Sequence, residues 1–242
     1  MARQPGVLAG SYVVTEVFGQ LSSEVTASWE VGEGEAFAAG DELGLLAGPL
    51  KQILGGERIC LNFISHLSGI ATHVAEWVRV ADGRCEVWDT RKTLPAYRQI
   101  QKAAVRAGGG VNHRMSLSEA AMLKDNHLVG LDIAAGVAAL REQWPDKTVE
   151  VEADTVEQAK QAVAAGVDVL MLDNFEPGSL AAAVVELGSY ATTEDLPLPK
   201  LEASGGITLE TLDAYASTGV DFVSSSSLTS GVSPIDIGLD MS

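Results

Sequence analysis

The second half of the chain alternates short apolar runs with amphipathic segments, and this pattern restricts the fold more than any other feature. The runs have the length of buried strands, and the segments between them carry apolar residues at helical spacing. The runs are Cys85–Trp88, Thr148–Val151, Val167–Leu172, Leu201–Ala203 and Val220–Val223, and the clearest helical segments are Leu131–Gln143, Thr155–Ala165, Ser179–Leu187 and Leu209–Thr218. Strands that alternate with helices pair in parallel through right-handed crossovers, so we expect an α/β fold.

The first third of the chain has a different pattern. Residues 5–50 combine short apolar runs, such as Val25–Trp29, with turns rich in glycine and acidic residues, and predict a small β-rich layer. Residues 57–81 carry apolar residues at three-and-four spacing and predict one long helix, which Gly83 ends.

Length and composition exclude several classes of protein. The 242 residues suffice for one large domain or for a large and a small one. Two cysteines, Cys60 and Cys85, do not make a disulfide scaffold. The sequence has neither an apolar run of the roughly 18 residues that a membrane span needs nor a secretion signal at its start. We therefore expect a cytoplasmic protein without a membrane partner.

Charge is distributed unevenly along the chain. The net charge is −17, which argues against nucleic acid as a partner. Half of the lysines and arginines nevertheless lie within residues 84–124, which hold eight basic and three acidic side chains. This segment is either a solvated helix face or a site for a multiply charged anion, because guanidinium groups pair well with carboxylates and phosphates.

Polar residues follow the predicted strands at their carboxyl ends. Asp89, Glu152, Asp173 and Ser204 stand at these positions. In an α/β barrel this edge is the catalytic face, and an open doubly wound sheet would place the residues similarly. A dinucleotide site has no support, because no G-x-G-x-x-G opens a helix.

Three clusters supply the cations of the basic segment. Arg91 and Lys92 follow a strand, His113 and Arg114 follow a glycine triplet, and Lys124 follows an apolar pair. Surface loops and a surface ion pair are the simpler explanations for each cluster alone. Together they predict an anion pocket.

Other residues at strand ends predict a part of the site that binds a metal ion, a sugar or a phosphate. Glu152 and Asp173 could hold Mg²⁺ through water or bind sugar hydroxyls. Ser204-Gly205-Gly206 precedes a helix and could present backbone N–H groups to a phosphate. Ser225 and Ser226, in the serine run 224–227, predict a further phosphate turn.

These residues, in this order and spacing, resemble the quinolinate phosphoribosyltransferase family over nearly the whole chain. The matching blocks include Gly6-Val-Leu-Ala-Gly10, Ser68-Gly-Ile-Ala-Thr72, Asp89-Thr-Arg-Lys-Thr93, Asn112-His-Arg114, Lys124-Asp-Asn-His127, Val149-Glu-Val-Glu152, Leu172-Asp-Asn174 and Glu202-Ala-Ser-Gly-Gly-Ile207.

The resemblance implies a fold and an assembly. The fold is an incomplete α/β barrel, residues 83–230, with a small N-terminal α/β sandwich domain and connecting helix, residues 1–82. Residues 231–242 return to the small domain. The assembly is a homodimer with shared active sites, or a higher oligomer.

The resemblance also implies an activity. Quinolinate and phosphoribosyl pyrophosphate (PRPP) would give nicotinate mononucleotide, CO₂ and pyrophosphate, with Mg²⁺ as cofactor. Arg58 would reach the neighbouring subunit's quinolinate. The other quinolinate ligands would be Arg91, Lys92, His113, Arg114 and Lys124. The catalytic residues would be Lys124, Glu152 and Asp173. The PRPP ligands would be Glu152, Asp173, Ser204, Gly205, Gly206, Ser225 and Ser226. Lys124 and His113 both qualify as the proton donor after CO₂ leaves.

Departures from the family keep alternatives open. The family usually begins with a further stretch that this chain lacks, and Ser226, Ser230 and Ala103 replace frequent Gly, His and Tyr. A silent binding or assembly homologue and a related molybdenum-uptake protein are alternatives, although the latter typically lacks the Lys-Asp-Asn-His block. A third alternative is that the substrate is a different pyridine carboxylate.

Overall fold

The structure, a computed structural model, describes residues 1–127 and 129–241. Its contacts divide the chain into two compact units. The first unit consists of residues 1–78, 92–112 and 226–242, and the second of residues 79–91 and 113–225. The domain bounds expected from the sequence, 1–82, 83–230 and 231–242, remain predictions.

The second unit is built on a six-stranded sheet in which every pairing is parallel. Its strands are β5 (Glu86–Trp88), β6 (Ala120–Leu123), β7 (Thr148–Ala153), β8 (Val169–Asp173), β9 (Lys200–Ser204) and β10 (Phe222–Ser224). Its helices are α4 (Ile133–Gln143), α5 (Val156–Ala164), α6 (Pro177–Thr193) and α7 (Leu209–Ala216). The strand order is β5-β10-β9-β8-β7-β6, so the first strand pairs with the last. Among the described residues β5 and β6 do not pair, which leaves the barrel incomplete as predicted.

The two faces of this sheet differ sharply. Residues paired across parallel strands share a face, and the face alternates along each strand. One face is apolar and buried: Val87, Leu123, Val151, Leu170, Leu172, Leu201, Ala203 and Val223. The other carries Trp88, Met122, Glu150, Glu152, Met171, Asp173, Glu202, Ser204, Phe222 and Ser224. Since packing alone favours apolar side chains, the carboxylates of the second face indicate a functional role.

The first unit has its own core and two antiparallel strand pairs. Its elements are β1 (Gly6–Val7), α1 (Ser11–Leu21), β2 (Thr26–Trp29), β3 (Ala36–Phe37), β4 (Gly44–Ala47) and α3 (Arg98–Ala107). Strand β1 pairs with β3, and β2 with β4. The long helix α2 (Leu50–Ala81) begins in this unit. Its core includes Leu8, Phe18, Phe37, Ile64 and Ile235.

Two sequence expectations for this unit need correction. Residues 5–50 contain the helix α1 as well as short strands, because Val14 and Phe18 lie four residues apart and are buried together. Helix α2 begins at Leu50 rather than near residue 57. The Gly55-Gly56 pair obscures this start, but it allows close packing: a Cβ on Gly56 would lie 2.6 Å from the Phe18 ring.

None of the helices in the described part of the chain combines the length and the apolar character that a membrane crossing requires.

Candidate active site

The carboxyl edge of the second unit's sheet gathers most of the predicted site residues. Asp173 and Ser204 end β8 and β9 and pair directly with one another. Glu152 lies one position from the end of β7. By register, all three side chains lie on the polar face, so the sequence expectation of a shared edge is met.

The buried Asp89 binds the backbone of His113, the first residue of the His113-Arg114 cluster. Asp89 follows β5 and is fully buried. Its Oδ1 accepts a hydrogen bond of 2.9 Å from the backbone N–H of His113. The Trp88 ring meets the His113 ring edge-on, with centroids 5.5 Å apart, and stacks on Phe222. These contacts fix the His113 backbone beside the end of β5.

Two buried carboxylates face the ring of His113. Its Nε2 lies 3.2 Å from Oε2 of Glu150 and 3.4 Å from Oε2 of Glu202. Burial alone lowers the pKa of His113, but the interactions with the two glutamates outweigh burial and raise that pKa to about 9. Burial also raises the pKa of the Glu150 carboxyl.

The other ring nitrogen decides where the proton lies. Nδ1 of His113 accepts a hydrogen bond of 2.8 Å from the backbone N–H of Arg114. A His113 pKa of about 9 means that the cluster of His113 and the two glutamates holds an additional proton at neutral pH. A doubly protonated ring could not accept the bond from Arg114, so we assign the ring a single proton, on Nε2. An additional proton of the cluster then lies on the carboxyl side, in keeping with the raised pKa of Glu150.

Arg91 and Arg114 are close enough to influence each other. Burial is the main cause that lowers the pKa of Arg114, and the positive charge of Arg91 lowers it further. Arg114 donates to the carbonyl of Ala120 at 3.0 Å and to Sδ of Met122 at 3.1 Å. Two neighbouring guanidinium groups, both half-buried, suit a ligand with more than one negative charge.

Lys124 forms an ion pair with Glu152. The Lys124 side chain is 38% exposed, whereas that of Glu152 is 9% exposed. Lys124 comes directly after β6, and its backbone N–H donates to Nδ1 of His127. The pair therefore places a partly exposed cation beside a buried carboxylate.

The glycine turn after β9 approaches the end of β8 closely. Gly205 has φ of +97°, and a Cβ there would lie 2.4 Å from Oδ1 of Asn174. Asn174 donates from Nδ2 to Asp173 and from its backbone to the Ser204 carbonyl. Glycine is required at residue 205 for both its backbone angle and its space.

The last strand is tied to the same glycine turn. The hydroxyl of Ser225 donates to the Ile207 carbonyl at 2.9 Å, and its backbone N–H donates to the carbonyl of Trp88. The structure thus joins Ser225 to the turn that contains Gly205 and Gly206.

Three predicted site residues belong to the first unit. Arg58 lies exposed on α2, Lys92 lies exposed before α3, and Ser226 begins a short 3₁₀ turn. Their roles remain predictions.

The sequence reasoning assigned no role to Glu150, Glu202 and the buried Asp89. The signal was present: Glu150 and Glu202 interrupt apolar strands at positions that share a face with Glu152. Buried carboxylates in a strand call for partners, and the partner here is His113, which is distant in sequence.

Carboxylate oxygens at this edge could hold a divalent cation. Glu152 and Asp173 offer the hard oxygen donors that Mg²⁺ prefers, and both lie on the polar face. His113, Glu150 and Glu202 also bring three donor atoms within 4.8 Å of one another. That set includes an imidazole nitrogen, so it suits Mg²⁺ less well.

Comparisons with known proteins find close relatives over the full length. The probable carboxylating nicotinate-nucleotide pyrophosphorylase of Bacillus subtilis is 40% identical over 244 residues, which cover 100% of this chain and 82% of that protein. The human carboxylating nicotinate-nucleotide pyrophosphorylase is 35% identical over 245 residues, covering 99% and 80%. The solved nicotinate-nucleotide pyrophosphorylase of Francisella tularensis superposes with a TM-score of 0.91 at 35% identity, covering 98% of this chain and 82% of that one.

A parallel, barrel-like sheet with charged groups at its carboxyl edge defines an α/β enzyme. The family models for the quinolinate phosphoribosyl transferase N-terminal and C-terminal domains match residues 1–68 and 70–240. The chain belongs to the quinolinate phosphoribosyltransferase family.

Proposed function

We propose that this chain is a decarboxylating quinolinate phosphoribosyltransferase of NAD biosynthesis. It converts quinolinate and PRPP into nicotinate mononucleotide, CO₂ and pyrophosphate. The observation that carries this proposal is the polar face with its carboxyl edge, where Arg91, Arg114 and Lys124 accompany Glu152 and Asp173.

Charge explains the need for the cations. Quinolinate carries two carboxylates and PRPP carries several negative charges, so the two repel each other in water. The neighbouring guanidinium groups of Arg91 and Arg114 are the groups best placed to hold the carboxylates of quinolinate. Lys92 and Lys124 add to this set. His113, whose ring we assign as uncharged, serves the pocket by holding the Arg114 backbone, and Arg58 is assigned to a neighbouring subunit's pocket.

The negatively charged carboxylates of the site interact with the ribose of PRPP. Glu152 and Asp173 bind ribose hydroxyls. They would also hold Mg²⁺ through water, and the metal ion would supply positive charge to neutralise the pyrophosphate group. Ser204, Gly205 and Gly206 provide backbone donors for phosphate, with Ser225 and Ser226 in the adjoining turn.

The reaction proceeds in two steps. The quinolinate ring nitrogen forms a bond to the anomeric carbon of ribose while the bond to pyrophosphate breaks, and the electron pair leaves with pyrophosphate. Glu152 and Asp173 stabilise the positive charge that develops on the sugar. The ring is then a pyridinium that accepts the electron pair released when the 2-carboxylate departs as CO₂.

A proton must then be added at ring carbon 2. Of the two donors that the sequence left open, we favour Lys124, because it is partly exposed and charged beside Glu152. Both ring nitrogens of His113 face protein groups instead. Solvent returns the proton to Lys124.

Substrate selectivity tests this function. We expect turnover of quinolinate and none of nicotinate under the same conditions, because nicotinate has one carboxylate fewer and leaves part of the half-buried cationic set unpaired, at about 1–3 kcal/mol for each group. Turnover of nicotinate alone would overturn the proposal. Quinolinate binding without turnover in calorimetry with PRPP and Mg²⁺ would favour the silent homologue instead.

We further propose a cytoplasmic homodimer with shared active sites. Helix α2 exposes about half of Leu50, Leu54 and Ile59, with relative exposures of 50%, 51% and 51%, next to Arg58. Exposed apolar side chains grouped on one helix are typical of an interface between chains.

A further inference from the structure

We infer that Glu150 and Glu202 are positioning residues that lock the His113 ring and, through it, the backbone of Arg114. The inference rests on the proposed function, because it concerns how the quinolinate-binding guanidinium is held. Neither glutamate is expected to touch substrate.

The first step concerns the ring. Nε2 of His113 lies 3.2 Å from Glu150 and 3.4 Å from Glu202. Its hydrogen-bond geometry is met by Glu150, and Oε2 of Glu202 is buried beside it without a hydrogen bond of its own to any described residue. Both glutamates and the histidine are buried, with at most 8% of any of the three side chains exposed. Charge-assisted bonds inside a protein are strong, so the ring has one preferred orientation.

The second step leads from the ring to the backbone. With its proton on Nε2, the ring presents a lone pair at Nδ1, which accepts the Arg114 N–H at 2.8 Å. On the other side, Asp89 accepts the His113 N–H at 2.9 Å. Two successive backbone donors are thus fixed by side chains.

The third step leads from the backbone to the substrate. A fixed Arg114 backbone, with its guanidinium bonded to the Ala120 carbonyl and Met122, holds one cation against the polar face of the sheet beside β6. Preorganised charges bind an anion without losing conformational entropy on binding.

Glu202 offers the cleanest test, because Glu150 lies two residues from Glu152 in the same strand. Oε1 of Glu202 accepts the Ser224 hydroxyl, which fixes that carboxylate further. We expect Glu202→Gln to raise the KM for quinolinate about tenfold, which corresponds to about 1.4 kcal/mol, while the KM for PRPP changes less than about twofold. Ser224→Ala, a milder change, should raise the quinolinate KM in the same direction by a few fold.

The control is Asp221→Asn. Asp221 binds Lys200 and the Leu201 backbone at the amino end of the same strand pair, so it tests a carboxylate-to-amide change away from the site. Both KM values should stay within about twofold of wild type.

A double-mutant cycle separates positioning from a general loss of structure. If Glu202 acts through Arg114, then Glu202→Gln should add less than about twofold in quinolinate KM to Arg114→Ala. Additive effects, or an unchanged quinolinate KM in both Glu202→Gln and Ser224→Ala, would overturn the inference. Absence of wild-type turnover in the same assay would instead overturn the proposed function.

Discussion

At the residue scale, replacing Arg91 tests how much a single cation contributes to quinolinate binding. Its charge acts on Arg114, and in the proposed function the two guanidinium groups together bind the carboxylates of quinolinate. Arg91→Ala should raise the quinolinate KM by about 10- to 100-fold, since a hydrogen bond to a charged group contributes about 1.5–3 kcal/mol. Steady-state kinetics at saturating PRPP measures the change.

The matched control for Arg91 is Arg141→Ala. Arg141 pairs with Asp168 at the opposite end of the sheet, where its side chain is 33% exposed. Its loss should leave the quinolinate KM unaltered, and equal effects of the two variants would remove Arg91 from the site.

Glu152 should act on the rate rather than on binding. Glu152→Gln keeps the size of the side chain and removes the charge that stabilises the sugar in the transition state. We expect kcat to fall about 100-fold with a KM change of a few fold at most. Glu186→Gln, on the surface of α6, removes a comparable charge from an ion pair with Lys160 and should leave kcat unchanged. A wild-type kcat for Glu152→Gln would contradict its catalytic role.

At the scale of the elements, the glycine turn after β9 is a rigid part of the site. Gly205→Ala places a Cβ 2.4 Å from Asn174 in a backbone with φ of +97°. We expect a loss of about 1–3 kcal/mol in unfolding free energy and a higher KM for PRPP. Thermal denaturation and kinetics measure the two effects.

Gly188→Ala is the control for this turn. Gly188 lies in α6 with no atom within 4 Å of an added Cβ. Alanine should stabilise that helix by up to about 1 kcal/mol. If Gly205→Ala is equally harmless, the turn is not constrained as described.

The strands and helices of the second unit could be predicted from the sequence, whereas the side-chain contacts between different strands and loops could not. Alternating apolar runs identified β7, β8 and β9 because both faces of these strands are largely buried. The contact of His113 with Glu150 and Glu202 joins three separate strands or loops, and periodicity carries no information on such pairs. Helix α1 was missed because its N-cap residue is Gly10, which offers no capping side chain to mark the start of the helix.

At the scale of the whole molecule, the proposed sharing of active sites between subunits has a direct genetic test. Arg58→Ala and Lys124→Ala should each lose most activity alone. Mixed subunits should regain up to about a quarter of wild-type activity, because half of the dimers are mixed and each holds one intact site. Co-expression with two affinity tags isolates the mixed dimer. No recovery in a confirmed mixed dimer would place Arg58 in its own subunit's site.

The central claim is that a decarboxylating transfer occurs at the charged edge of the second unit's sheet. The most direct measurement uses quinolinate labelled with ¹³C in its 2-carboxylate, together with PRPP and Mg²⁺. The account predicts one labelled CO₂ for each nicotinate mononucleotide formed, with both products lost in Lys124→Ala. Nucleotide that retains the label, or labelled CO₂ released without PRPP, would contradict it.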